Sequence, residues 1–284
     1  MEYGICMFVT DYSMQAAELA MAVEARGFDA LFIPDHTHIP ASRESPFRIG
    51  GELPADYSHN LDMFVALTAA AAVTERIRIG AGVCLVAERD PIVTAKEVAS
   101  IDHLSGGRFD FGIGGGWNRE EYENHGMPWN RRWKIVRERI EAMQAIWTQE
   151  EASYDGEFVK FDRIWSWPKP VQKPYPPIFV GGDARGTFKR VLRYGDAWIP
   201  MLAERDNTFD LKAERMAELA ALAKEAGRAP YPITTFGTPR DPDAIATLAA
   251  SGATRCIFGL KAAPADEVLP RLDRIARFVE GLGG

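Results

Sequence analysis

The chain is expected to fold as an α/β protein, a single (β/α)8 TIM barrel spanning residues 1–284 with insertions at the C-terminal face. Three observations predict this. Short apolar runs alternate with amphipathic stretches along the whole sequence, eight such runs can be counted, and nearly all are followed by a helical pattern. No shift in composition marks a linker between two halves, which a doubly wound sheet in two parts would show. Right-handed βα units in this number close on themselves.

The elements follow in order. Residues 3–9 are the first apolar run. Ser13 reads as the N-cap of a helix whose Ala16, Ala20 and Val23 share a face, and Gly27 stops it. Residues 28–33 form the second strand, ended by Pro34. Residues 35–60 hold Pro40, Pro46, Gly50, Gly51 and Pro54 and read as a long loop, which on a compact fold tends to carry function. An alanine-rich helix covers 61–74, and 77–83 is the third strand. Asp90 and Pro91 then supply an N-cap and a first-turn proline for a helix reaching Leu104.

Ser105-Gly106-Gly107 turns into a fourth strand, where Phe109, Phe111 and Ile113 alternate with Asp110 and Gly112. Trp133, Val136, Ile140, Met143 and Trp147 step by three and four, one apolar helix face. Residues 152–176 read as a small hairpin and a proline-rich connector. The remaining strands fall at 178–180, 197–199, 233–236 and 255–258, and Pro264 opens the last helix.

Composition bounds the function classes. Apolar residues make up 46 % and charged residues 26 %, an ordinary globular balance that excludes disorder as the main state. Thirty-three basic against 40 acidic residues give −7, which argues against a nucleic-acid partner. Cys6, Cys84 and Cys256 are far apart and lack CxxC spacing, as expected in a reducing cytoplasm without a disulfide frame. No signal peptide is read at the start, and no run approaches the ~18 apolar residues of a membrane span.

Ligands of a β/α barrel meet the C-terminal ends of its strands, and this selects the candidate site. Strand two ends at Asp35-His36-Thr37-His38. His36 can give or take a proton, with Asp35 beside it to orient the ring. A hydrolase metal site would need further ligands from other strands, and His59, His103 and His125 fall at no later strand end, so no metal is expected. Solvated loop histidines are the plain alternative, more so for His38.

Gly112-Ile113-Gly114-Gly115-Gly116-Trp117 resembles a dinucleotide fingerprint and fails it at Trp117, where glycine or alanine is needed. Bare backbone remains, able to lie against a flat or phosphorylated group, although a tight turn accounts for two of the glycines. Gly181-Gly182-Asp183 follows a strand and opens a helix carrying Lys189, Arg190 and Arg193: a phosphate cradle, or an aspartate cap on a solvated basic helix. Trp117, Trp165 and Trp167 stand where an aromatic ligand could be covered, whereas Trp133, Trp147 and Trp198 read as packing. Cys84 has no base beside it and reads as a pocket or core residue.

Several of these segments together resemble the luciferase-like monooxygenase superfamily, in the branch that uses the deazaflavin coenzyme F420. They are Glu24-Ala25-Arg26-Gly27-Phe28-Asp29-Ala30, Asp35-His36, Arg78 through Val83, Gly106-Gly107-Arg108-Phe109 with Gly112 through Trp117, Pro168 through Gln172, Pro177 through Gly182, and Asp196 through Pro200. The resemblance implies a deazaflavin ring across the barrel mouth, behind it a non-proline cis peptide at Gly82-Val83. It implies that Phe8, Gly115, Gly116 and Trp117 border the ring and its side chain, that Gly181, Gly182 and Asp183 hold the phosphate, and that His36 faces the reactive carbon.

One departure matters. Members that oxidise sugar phosphates carry an acidic glutamate where this chain has Trp117, leaving Glu120 and Glu121 as poor substitutes in the next helix. A less polar substrate is implied, shaped by Phe8, Trp117, Trp165 and the 40–60 loop. The expected function is hydride transfer between F420 and a small organic substrate. The alternatives are a reduced-FMN monooxygenase that activates oxygen with the help of a reductase, and a non-catalytic flavin-binding protein. A cytoplasmic homodimer with no membrane partner is expected. The residues beyond a bare barrel of roughly 250 are expected at 36–60 and 149–176, both covering the mouth.

Overall fold

In the computed structural model, which describes residues 1–47, 50–205 and 208–283, eight parallel strands stand in sequence order around a nearly closed barrel. They are β1 (Glu2–Cys6), β2 (Ala30–Ile33), β3 (Arg78–Ala81), β4 (Phe109–Ile113), β5 (Ile178–Gly181), β6 (Ala197–Ile199), β7 (Thr234–Phe236) and β8 (Arg255–Gly259). β8 returns to β1 in register from Glu2↔Arg255 to Cys6↔Gly259. Among the described residues the seam between β6 and β7 is held by single bridges, Trp198↔Ile233 and Met201↔Phe236.

The helices between them are α1 (Ala16–Ala25), the short α2 (Asp56–His59), α3 (Met63–Ala72), α4 (Pro91–Leu104), α5 (Arg119–Asn124), α6 (Arg132–Thr148), α7 (Thr187–Tyr194), α8 (Ala213–Glu225), α9 (Pro242–Ala250) and α10 (Ala265–Gly281). Inward-facing residues fill the barrel with Phe32, Phe179, Ile199, Phe236 and Ile257. Phe32 lies where a side chain on Gly80 would project, 2.1 Å from the missing Cβ, which explains a glycine in mid-strand. At the opposite end from the strand termini, the buried Asp110 carboxylate accepts from Arg78 Nε and Arg255 Nη1, both at 2.7 Å. This ionic floor ties β3, β4 and β8 together. Among the described residues no helix is long and apolar enough to cross a membrane.

The sequence reading of the elements holds with local corrections. Asp90 caps α4 as expected, its Oδ1 accepting from Ile92 N–H and Val93 N–H at 2.9 Å. Ser13 does not cap α1; its Oγ accepts from Thr10 N–H, and Gln15 stands at the N-cap without a side-chain bond. The hairpin is present, as an antiparallel pair of Ala152–Asp155 and Lys160–Ile164.

Its position is not the expected one. The hairpin turn packs on α6, where Glu138 Oε2 accepts from Phe158 N–H at 2.7 Å. The connector then follows the outer wall: Lys169 Nζ donates to Ile146 O at 2.6 Å, and Gln172 N–H donates to Asp102 on α4 at 2.9 Å. Trp165 and Trp167 are 77 % and 57 % exposed there. Of the two surplus stretches, only 36–60 reaches the ring contacts of the mouth, and residues 48 and 49 within it lie outside the described residues.

Candidate active site

Val83 forms the centre of the mouth. The Gly82–Val83 peptide is cis, and both residues remain half-buried at the end of β3. Val83 wedges between two strand ends because both present glycine. A Cβ on Gly114 would stand 2.5 Å from Val83 Cγ2, and one on Gly181 3.2 Å from Cγ1. The next two glycines also have packing reasons. A Cβ on Gly115 would lie 2.3 Å from the Trp133 ring, and Gly116 has φ +64° with Tyr122 2.9 Å from its Cβ position. All three glycines are therefore required by the fold, one more than the sequence alone accounted for.

The wall beyond β2 holds the chemistry. His36 Nδ1 lies 2.8 Å from Glu121 Oε2, and both side chains are buried. Glu121 Oε1 also accepts from Thr37 N–H at 3.2 Å. Asn118 caps α5 directly after the glycine run, its side chain accepting from Glu121 N–H, and this turns Glu121 inward. The orienting role expected of Asp35 is corrected here. Its Oδ2 accepts from Leu85 N–H and Arg89 Nε, and its Oδ1 from Arg89 Nη2 at 2.6 Å. Asp35 thus fastens the turn after β3, and Glu121 holds His36.

Aromatic rings complete the wall. Phe8 packs on Tyr57 at 4.6 Å between centroids, and His36 lies 5.3 Å from Tyr57 and 6.0 Å from Trp117. Phe47 reaches both Tyr57 (5.2 Å) and Trp117 (5.8 Å). The long loop is therefore pinned over the mouth by edge-on contacts. Next to Phe47 it encloses a recess of about 650 Å³, lined in part by Ile39, Pro40, Arg43 and Leu53, a size suited to a small molecule.

Across the mouth, Gly182 has φ +100°, with Thr187 Oγ1 4.0 Å from its Cβ position. α7 begins at Thr187 with Gly186 at the N-cap and no side-chain cap. Asp183 does not cap it; its carboxylate pairs with Lys212 at 3.1 Å. Arg190 stacks over Trp133 at 3.3 Å, and its Nη2 lies 3.0 Å from the Cβ position of Gly186. An uncapped helix start beside glycine and arginine suits an anionic group. His38 lies toward the surface, bonded through Thr37 Oγ1 and apart from the His36–Glu121 pair.

Two charged groups just after β3, the second half-buried, were not singled out in the sequence. Glu88, after β3, is buried, and burial together with the Glu121 and Asp35 charges pushes its carboxyl up to about 9. Arg89, its neighbour, is the partner of Asp35 and Asp62. An acid directly after the apolar run Cys84 to Ala87 was the available signal. Glu121 is named in the sequence only as a poor substitute acid in the helix after Trp117, because nothing local links it to His36. Cys84 is buried, which pushes its thiol well above the ordinary value, in line with a packing role. Among the described residues no group of three His, Cys, Asp or Glu side chains is placed to hold a metal.

Residues 8–251 match the family model described as luciferase-like monooxygenase. An uncharacterised protein of Mycobacterium tuberculosis is 43 % identical over 283 residues, 97 % of this chain and 98 % of its own. An FMNH2-dependent dimethylsulfone monooxygenase of Pseudomonas putida is 35 % identical over 128 residues, 44 % of this chain and 35 % of its own. Among solved structures, an F420-dependent secondary alcohol dehydrogenase in complex with an F420-acetone adduct superposes with a TM-score of 0.73. It is 15 % identical, with 99 % of each chain covered, a likeness of fold.

Proposed function

The chain belongs to the luciferase-like monooxygenase family, and from that premise we propose that it is an F420-dependent oxidoreductase acting on a small organic substrate at the barrel mouth. The observation that carries this reading is the buried His36–Glu121 pair beside an apolar, aromatic-walled opening. The residues present fit a flavin-like group. Gly82 and Val83 offer an apolar floor, Phe8, Gly115, Gly116 and Trp117 the flanks, and Gly181, Gly182 and Asp183 with the uncapped start of α7 the anionic end.

Bound there, the deazaflavin would supply or accept the hydride. The chain's own residues handle the proton. Glu121 takes Nδ1 of His36, which leaves Nε2 to give a proton to the substrate oxygen on reduction, or to remove it on oxidation. Trp117, Tyr57 and Phe47 shield this exchange from water, and Trp117 in place of a further acid favours an apolar substrate. The expected homodimer belongs to the same proposal and is read by sedimentation.

A second reading is favoured by the dimethylsulfone monooxygenase relative: reduced FMN in the same mouth, with a separate reductase supplying it. Oxygen uptake separates the two. The purified protein with FMN, a flavin reductase and a panel of small organic substrates should consume no more oxygen than the reductase alone. Substrate-dependent uptake would transfer the assignment to the monooxygenase reading.

A further inference from the structure

Glu88 is a buried carboxyl that the reaction above does not use. Neither of its oxygens meets a hydrogen-bond donor. An ionised carboxylate held this way, away from water and without a donor, is strongly disfavoured, so the group keeps its proton. A neutral carboxylic acid is itself a donor and needs an acceptor. The groups facing Glu88 come from several elements. Glu121 and Tyr122 lie on α5, with His125 at its end. Asp35 follows β2, Arg89 is the adjacent residue, and Arg139 reaches in from α6. Asp35 is occupied by Arg89 and Leu85 N–H. Glu121 accepts one bond on each oxygen, from His36 and from Thr37 N–H, and a carboxylate oxygen accepts a second.

We propose that Glu88 is a positioning residue: its protonated carboxyl donates to Glu121, so that Glu88, Glu121 and His36 form one hydrogen-bonded acid–carboxylate–imidazole chain that fixes how His36 presents Nε2. The use of that chain rests on the role of His36 proposed above; its existence does not. His125 Nε2 stands 4.0 Å from Glu88 Oε2 and its side chain is 28 % exposed, giving the Glu88 proton a route to equilibrate with solvent. Gly116 roofs the group: a Cβ there would sit 3.7 Å from Glu88 Oε1.

The test is infrared titration of the coenzyme-free protein, so failure of F420 to bind would leave its result standing. Wild type should show a protonated carboxyl at neutral pH that ionises at about 9, and Glu88→Gln should lack it. Glu121→Gln removes the neighbouring charge and should lower the ionisation of the surviving acid by at least a unit. In turnover, Glu88→Gln should keep the KM and lose the alkaline limb of the pH profile, which a purely space-filling residue would not move. No protonated carboxyl in wild type, or one that persists in Glu88→Gln, overturns the proposal. So does an acid whose titration ignores Glu121→Gln, a comparison that stands even if Glu88→Gln fails to fold.

Discussion

Glu121, on the first turn of α5, meets His36, just past the end of β2, through a 2.8 Å contact between Oε2 and Nδ1 with solvent excluded from both side chains. Eighty-five positions of sequence separate them. The pair assigns the ring a fixed tautomer, since a carboxylate accepts and Nδ1 must then carry the hydrogen. Glu121→Gln should therefore lower turnover by about 10²-fold or more, the range of positioned acid–base groups, while His36→Ala abolishes it and retains coenzyme. Steady-state kinetics alongside coenzyme titration of both variants reads this. Wild-type rates in Glu121→Gln would remove the pair from the chemistry.

Trp117 should govern binding more than chemistry. It joins His36, Tyr57 and Phe47 in one ring cluster and holds the long loop down. Trp117→Ala is expected to weaken coenzyme binding by roughly tenfold, about 1.4 kcal/mol. Limited proteolysis should also cut the 40–54 segment faster than in wild type.

Gly115→Ala should cost stability through the packing behind the glycine run. The new methyl would meet the Trp133 ring at 2.3 Å, and an indole held by Arg190 has little room to yield. Overpacking of this kind costs about 1–3 kcal/mol, which a chemical denaturation midpoint resolves.

Stability should also carry the signature of Glu88. Its carboxyl ionises near 4.5 in the unfolded chain and at about 9 in the folded one. Between those values the folded state holds a proton that the unfolded state has lost. The Glu88 contribution is therefore intact below pH 4.5 and is lost progressively as pH rises toward 9, by several kcal/mol on the order-of-magnitude scale of ~1.4 kcal/mol per unit. Glu88→Gln should flatten this part of the curve. Denaturant unfolding at pH 5, 7 and 9 on both proteins measures the difference.

What the sequence made legible follows from which signals are local. Apolar alternation at β4 and the Asp90-Pro91 start of α4 are written in neighbouring residues, and both elements stand where expected. The strand-end rule brought His36, Val83 and Trp117 to one mouth because barrel topology fixes those positions whatever the loops do. Asp35 was assigned to His36 by adjacency alone; its actual partner, Arg89, lies across the turn after β3. The 149–176 stretch carried tryptophans but no indication of direction. Its course was set by Glu138, Asp102 and the end of α6, contacts invisible until the helices were packed. Glu121 stands in the sequence as a poor substitute acid one turn past Trp117, and its chemistry emerges only from the distance to His36.

The most direct test of the assignment is equilibrium titration of the purified wild-type and His36→Ala proteins with F420 and with FMN, each in oxidised and reduced form. The expected result is saturable F420 binding by both proteins at a Kd of about tens of micromolar or tighter, on the scale of about 6–8 kcal/mol, with substrate turnover in wild type alone. Binding of FMN with no binding of F420 in either redox state would contradict it.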